Sequence, residues 1–136
     1  MIAAAERSAM TLLLVDDDEI SRRFTAMILS KMGYTVLVAA GADEALRLGD
    51  EHAGRIDLLI SDVVMPRLDG FELADQLAPR HPGLRMIFMS GYPEDLLRRK
   101  MSTLPDAEFI EKPFITAMFL ERIRRAIEDA VARRNV

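Results

Sequence analysis

The chain contains no cysteine and only two histidines, His52 and His81. The missing cysteines exclude disulfide scaffolds, thiolate metal sites and cysteine nucleophiles, and two histidines argue against a multi-histidine metal site. The apolar runs stay far short of the roughly 18–20 residues of a membrane span. The first ten residues lack the basic and apolar regions of a signal peptide. We therefore expect a cytoplasmic protein without membrane contact.

Length and charge indicate one small acidic domain. The 136 residues carry 18 Lys and Arg against 22 Asp and Glu, which gives a formal net charge of −4. This negative balance argues against nucleic acid as a direct partner, since acids offset the arginines near the C-terminus. Residues 1–9, which are rich in alanine, are expected to form a flexible tail, and residues 10–134 the folded domain.

Five short apolar runs alternate with helical patterns along the chain. Short continuous runs of this kind are typical of buried strands in a parallel sheet. The predicted strands span 11–15, 34–39, 57–61, 84–90 and 107–111. Their strict alternation with helices predicts an α/β fold in which helices cover both faces of a parallel sheet.

The helices are predicted from apolar residues that recur at helical spacing. In the first helix, over 20–32, these residues are Ile20, Phe24, Met27, Ile28 and Met32. Further helices are predicted over 42–52, 71–77 and 93–101. A long final helix is lined by Met118, Leu120, Ile123, Ile127 and Val131.

Side chains with reactive or charged groups follow four of the five predicted strands. Asp16 to Glu19 follow the first strand, Asp62 the third, Ser90 the fourth and Lys112 the fifth. Ligands of such folds bind beyond the carboxyl ends of the strands, so we expect these side chains to meet. Carboxylates suit a hard cation such as Mg²⁺, and an ammonium and a hydroxyl suit phosphate oxygens. The set predicts a site for a phosphoryl group with an aspartate nucleophile, while the last two acids of the run begin the first helix.

Four segments carry these residues: LLLVDDDEISRR, DLLISDVVMPRLDGFEL, IFMSG and FIEKPF. The spacings are 45 residues from Asp17 to Asp62, a further 28 to Ser90 and a further 22 to Lys112. Together the segments resemble the receiver domains of two-component response regulators, the CheY-like superfamily, over residues 10–134. The SGY and KPF segments resemble in particular the receivers of hybrid histidine kinases. The resemblance implies a flavodoxin-like (βα)5 doubly wound sandwich with strand order 2-1-3-4-5.

The resemblance also implies a role for each residue of the site. Asp62 would be the phosphoacceptor, and Lys112 would pair with the acyl phosphate. Mg²⁺ or Mn²⁺ would be held by Asp17, Asp62 and the backbone carbonyl of Val64, with Asp16 acting through water. The donor would be the phosphohistidine of a histidine kinase or histidine phosphotransfer protein. A receiver is not a conventional enzyme, since it catalyses its own phosphorylation and slow autodephosphorylation.

A conformational switch is implied as well. Ser90 would move to a phosphate oxygen, and Phe109 would turn inward into the space that Ser90 leaves. The face formed by the helix over 93–101, the fifth strand and the final helix would repack. We expect this face to bind a downstream protein partner or phosphotransfer protein, and it offers a surface for a homodimer.

A haloacid-dehalogenase-like phosphohydrolase is the alternative interpretation. The sequence LLLVDDDEI fits the D-x-D pattern of that superfamily, with Asp16 as nucleophile and Asp18 as acid. Ser90 and Lys112 would then fill its second and third motifs. Three features count against it: position 20 is Ile, no acidic metal motif follows Lys112 outside the last helix, and Asp62 is left unexplained.

Overall fold

The structure is a computed structural model that describes residues 3–91, 107–112 and 116–134. In chain order, its elements are α1 (Ala4–Ala9), β1 (Thr11–Val15), α2 (Glu19–Lys31), β2 (Thr35–Ala39), α3 (Ala42–Glu51), β3 (Leu58–Asp62), α4 (Gly70–Leu77), a 3₁₀ turn (Ala78–Arg80), β4 (Arg85–Ser90), β5 (Glu108–Glu111) and α5 (Thr116–Arg134). The helix predicted over 93–101 lies outside the described residues. None of the helices in these ranges combines the length and apolarity needed to cross a bilayer.

The strands form one parallel sheet in the order β2-β1-β3-β4-β5. Every residue of β3 and β4 is buried. Burial on both faces explains why these strands appear in the sequence as continuous apolar runs rather than as alternating patterns. The predicted doubly wound α/β fold and its strand order are therefore confirmed.

Alternating side chains of the strands divide the core into two layers. Leu12 and Leu14 of β1 pack in a cluster with Leu29 of α2 and with apolar residues of α5. Leu13 and Val15 point to the other face and pack in a cluster with residues of α3 and α4. This two-layer arrangement leaves the carboxyl ends of the strands as the open edge of the sheet.

The segment predicted as a flexible tail, residues 1–9, contacts the rest of the chain through its described residues. Ala4–Ala9 form the short helix α1. Nε of Arg7 donates to the backbone carbonyl of Met32 at 2.8 Å, and Oγ1 of Thr35 donates to the carbonyl of Ser8 at 2.8 Å. These partners are separated by 25 and 27 residues in the chain, so local composition does not reveal them.

Helix α2 forms where the pattern predicts it, but much of the recurring apolar stripe faces solvent. The buried residues of α2 are Thr25 and Leu29. Ile20, Phe24 and Met27 are instead 82%, 48% and 46% exposed. One side of α2 therefore presents an apolar surface at the open edge of the sheet.

Contacts at the first turn of α2 agree with its rotation. Asp18 caps the helix, and Nη1 of Arg22 donates to the backbone carbonyl of Asp16 at 3.0 Å. Arg22 lies three residues before Thr25 and seven before Leu29, so all three share one face of a helix. The contact of Arg22 with the Asp16 carbonyl therefore agrees with the burial of Thr25 and Leu29 on the same face.

His81 joins three parts of the fold at the amino-terminal edge of the sheet. It is 1% exposed and follows the 3₁₀ turn. Its Nδ1 accepts a hydrogen bond from the backbone N–H of Ile56 at 3.3 Å, which places the ring proton on Nε2. Nε2 donates to the carbonyl of Gly49 at 3.0 Å. The ring thus connects the end of α3 to the chain that leads into β3.

We expect His81→Ala to lower the free energy of unfolding by about 2–3 kcal/mol, because it leaves a cavity and two buried backbone groups without partners. Urea or thermal unfolding measures the change. His52→Ala is the matched control, since His52 is only half-buried, and its effect should stay within about 0.5 kcal/mol. Equal destabilisation by the two variants would contradict this role for His81.

Candidate functional site

The predicted site residues lie at one edge of the sheet. Asp62 is the last residue of β3 rather than the first residue after it, because it still pairs with Met89 of β4. Ser90 ends β4, and its backbone carbonyl accepts a hydrogen bond from the N–H of Lys112 at 2.7 Å. Asp16 follows β1 directly. The strand ends therefore bring these residues together as their positions in the sequence predict.

Lys112 connects two of the carboxylates. Its Nζ lies 2.6 Å from Oδ1 of Asp62 and 3.6 Å from Oδ2 of Asp16. The side chains of Lys112, Asp62 and Asp16 are 27%, 10% and 0% exposed. Low exposure limits screening by solvent, so this contact is stronger than an ordinary surface salt bridge.

Crowding shifts the pKa values of all three groups. Burial, together with the neighbouring Asp16, raises the pKa of Asp62 to about 7, although Lys112 opposes the shift. Burial also acts to raise the pKa of Asp16, but hydrogen bonding with Asp62 and Ser21 outweighs it and lowers that pKa. Burial acts to lower the pKa of Lys112, and the two carboxylates raise it overall. Two carboxylates thus compete for one ammonium group.

The acids that follow β1 have different local roles. Oδ1 of Asp18 accepts hydrogen bonds from the backbone N–H groups of Ile20 at 2.9 Å and Ser21 at 3.2 Å. Asp18 is therefore the N-cap of α2, in agreement with its predicted place at the start of the helix. Oδ1 of Asp16 accepts from the N–H of Asp18 at 2.9 Å, while Asp17 is exposed. Asp16 and Asp17 remain available to the pocket.

Asp16, Asp17 and Asp62 form a cluster that fits a hard divalent cation. One oxygen atom from each residue lies within 4.8 Å of the other two. Oδ2 of Asp16 is buried and has no hydrogen-bond partner among the described residues. Three carboxylates against Lys112 leave a formal charge of −2 in the pocket. Oxygen donors with this excess of negative charge suit Mg²⁺ or Mn²⁺.

Three further predicted residues lie around this cluster. Ser90 is 5% exposed at the end of β4. Val64 is 60% exposed in the loop after β3. Phe109 is 5% exposed and pairs in the sheet with Phe88, in the core that faces α3 and α4. Phe109 is therefore part of the buried core in this structure.

Two residues that shape the site carry no signal in the sequence pattern. Arg22 binds the backbone carbonyl of Asp16, as described above, and Oγ of Ser61 donates to the carbonyl of Asp62 at 2.9 Å. An arginine in a helix and a serine in a strand are common in any soluble fold. Only their contacts in the folded chain identify them.

A family model described as the response regulator receiver domain matches residues 12–124. The chain belongs to this family. It is a receiver domain of the two-component signalling systems, whose members act as phosphoacceptors, interact with histidine kinases or phosphotransfer partners and bind Mg²⁺ at an acidic pocket. The matches give no support to the haloacid-dehalogenase-like alternative.

Two relatives show both contexts in which such a domain occurs, and the first agrees with the resemblance to receivers of hybrid kinases. The chain is 37% identical over 118 residues to the sensor kinase CckA of Brucella abortus (strain 2308), covering 87% of this chain and only 12% of the length of CckA. It is 36% identical over 104 residues to the response regulator receiver protein CpdR of the same organism, covering 76% of this chain and 84% of CpdR.

Solved structures show the same architecture. The receiver domain of the hybrid histidine kinase CckA superposes with a TM-score of 0.74 at 34% identity, over 86% of this chain and 98% of that domain. A CheY-like receiver domain protein from Methanospirillum hungatei JF-1 superposes with a TM-score of 0.82 at 28% identity, over 93% of this chain and 99% of that one.

Proposed function

We propose that Asp62 accepts a phosphoryl group from the phosphohistidine of a histidine kinase or histidine phosphotransfer protein. The observation that supports this assignment is the contact of 2.6 Å between Oδ1 of Asp62 and Nζ of Lys112, in a pocket shared with Asp16. A carboxylate oxygen is a competent nucleophile, and the adjacent ammonium offers a partner to the oxygens of the arriving group.

The transfer exchanges one bond to phosphorus for another. A carboxylate oxygen of Asp62 forms the new bond, the phosphorus–nitrogen bond of the donor breaks, and its electron pair returns to the imidazole ring. Lys112 then pairs with a phosphoryl oxygen and offsets part of its charge. The product is an acyl phosphate on the chain and an unphosphorylated histidine on the donor.

A divalent cation, Mg²⁺ or Mn²⁺, belongs to the same proposal. Asp17, Asp62 and the backbone carbonyl of Val64 would hold it, and Asp16 would act through water. When bound, the cation offsets negative charge on the phosphoryl oxygens. The excess negative charge of the carboxylate cluster supports this assignment, because one divalent cation would neutralise it.

The proposed output is a change on the surface around β5. Ser90 would turn its hydroxyl to a phosphoryl oxygen. The carbonyl of Phe109 accepts a hydrogen bond from Nη2 of Arg122 on α5 at 3.1 Å, so a shift of β5 would reach α5 directly. The surface of β5 and α5, with the helix that the sequence predicts over 93–101, is the proposed contact for a downstream protein or a second copy of the chain.

The exposed apolar stripe of α2, formed by Ile20, Phe24 and Met27, is the proposed docking surface for the phosphodonor. Helix α2 begins at Glu19, directly beside the acidic pocket, so a partner on this stripe would reach the acceptor. Val64 adds an exposed apolar side chain on the loop that follows β3. An exposed apolar stripe of this kind suits an amphipathic helix of the partner.

Asp62→Asn is expected to abolish phosphorylation by acetyl phosphate, because the amide cannot form an acyl phosphate. Wild type should take up a phosphoryl group that hydroxylamine removes, and a phosphate-affinity gel measures both states. Asp16→Asn removes the nucleophile of the alternative interpretation and should slow labelling without abolishing it. Labelling that survives in Asp62→Asn and disappears in Asp16→Asn would contradict the assignment.

Mg²⁺ at about 100 times its dissociation constant is expected to raise the free energy of unfolding by about 2.7 kcal/mol, because only the folded chain assembles the pocket. Unfolding in Mg²⁺ and in EDTA measures this difference. Asp17→Asn should lose most of the response. Asp75→Asn, the same charge change at an exposed residue of α4, should keep it, and equal responses of the two variants would count against the metal assignment.

Phe24→Ala is expected to slow phosphotransfer from a purified histidine kinase that phosphorylates wild type, by roughly tenfold, because it removes a central apolar contact. Labelling by acetyl phosphate should stay unchanged, since this small donor needs no docking surface. Met118→Ala removes a side chain of similar exposure, 52%, from α5 and is the matched control. A loss with both donors would refute docking on α2.

A further inference from the structure

The peptide unit between Asp62 and Val63 is held at both of its polar atoms. The carbonyl oxygen of Asp62 accepts a hydrogen bond from Oγ of Ser61 at 2.9 Å. The N–H of Val63 donates to the carbonyl of Met89 at 3.0 Å. Because a peptide unit is planar, these two bonds restrict its rotation and thereby the backbone from which the Asp62 side chain projects.

Ser61 is completely buried in the middle of the sheet. It is 0% exposed and pairs with Val15 of β1 and Phe88 of β4. Asp62 itself is 7% exposed, so water has little access to its carbonyl. Without the Ser61 hydroxyl, this buried acceptor would lose the partner that orients it.

Gly70 packs against the same carbonyl, next to the Ser61 hydroxyl. A Cβ atom on Gly70 would lie 2.3 Å from the carbonyl oxygen of Asp62 and 3.2 Å from Oγ of Ser61. The N–H of Gly70 donates to the carbonyl of Val63 at 2.8 Å. The first residue of α4 therefore packs directly against the backbone of the acceptor, where only glycine fits without displacing it.

We infer that Ser61 is a positioning residue for phosphoryl transfer, which rests on the proposed role of Asp62 as the acceptor. Its hydroxyl orients the Asp62 carbonyl and, through the backbone, the carboxylate that meets Lys112 at 2.6 Å. Transfer to a carboxylate requires the attacking oxygen, phosphorus and leaving group to lie in line. A displacement of about 1 Å at a reacting group lowers the rate by about 100-fold in enzymes, so a smaller tilt of Asp62 has a measurable effect.

The test compares Ser61→Ala with Ser61→Thr and with a matched control. Thr35→Val is the control, because it removes a hydroxyl that donates to a backbone carbonyl, that of Ser8, at the opposite end of the sheet. The measurement is the rate of phosphorylation by acetyl phosphate in saturating Mg²⁺, at several acetyl phosphate concentrations. Thermal unfolding gives the folded fraction of each variant, and each rate is divided by that fraction.

We expect Ser61→Ala to lower the maximal rate by about tenfold, with little change in the acetyl phosphate concentration that gives half of that rate. Ser61→Thr should restore most of the rate because it keeps a hydroxyl, and Thr35→Val should phosphorylate like wild type. The backbone amide signal of Val63 should move in the ¹H–¹⁵N spectrum of Ser61→Ala and return in Ser61→Thr.

Two results would overturn the inference: a wild-type maximal rate in Ser61→Ala, or an equal loss in Ser61→Ala and Ser61→Thr. Failure of the underlying proposal looks different. In that case wild type would take up no phosphoryl group, or Asp62→Asn would still be labelled. Phosphorylation of wild type at Asp62 is thus the reference against which the Ser61 variants are judged.

Discussion

Lys112 follows β5 and Asp62 ends β3, yet their side chains meet at 2.6 Å although β4 lies between the two strands. The segments that follow β3 and β5 are both hydrogen-bonded to β4 beside this contact. The N–H of Lys112 donates to the carbonyl of Ser90, and the N–H of Val63 donates to that of Met89. The pairing of β4 with both neighbours therefore sets the distance between the Asp62 carboxylate and the Lys112 ammonium group, and a one-residue slip of either pairing would separate them.

The same end of the sheet concentrates charge that the rest of the chain does not balance. Asp16, Asp17 and Asp62 face one ammonium, and burial of Asp16 and Asp62 makes their repulsion costly. Excess negative charge of this kind suits a divalent cation, in agreement with the Mg²⁺ that receiver domains bind at an acidic pocket.

Helix α2 links the pocket to the molecular surface. Asp18 caps it and Arg22 binds the carbonyl of Asp16, so the acids that follow β1 contact its first turn, and its rotation buries Leu29 in the core. That rotation turns Thr25 inward although it is polar, and it turns Phe24 outward although it is apolar. Helical spacing predicts where such a helix lies, but it does not reveal the face that meets the sheet.

The sequence by itself determined the strand and helix alternation, because strands buried on both faces must be continuously apolar. It also determined the groups at the strand ends, Asp16, Asp62, Ser90 and Lys112, since parallel strands bring their carboxyl ends to one edge. Only the tertiary structure decided how α1 docks, which side of α2 faces solvent, and that the Ser61 hydroxyl bonds to the Asp62 carbonyl. The docking of α1 depends on hydrogen bonds to distant residues, and the face that α2 turns outward depends on the packing of Leu29 against distant residues. The third depends on backbone geometry and on the packing of Gly70, which residue type and spacing do not specify.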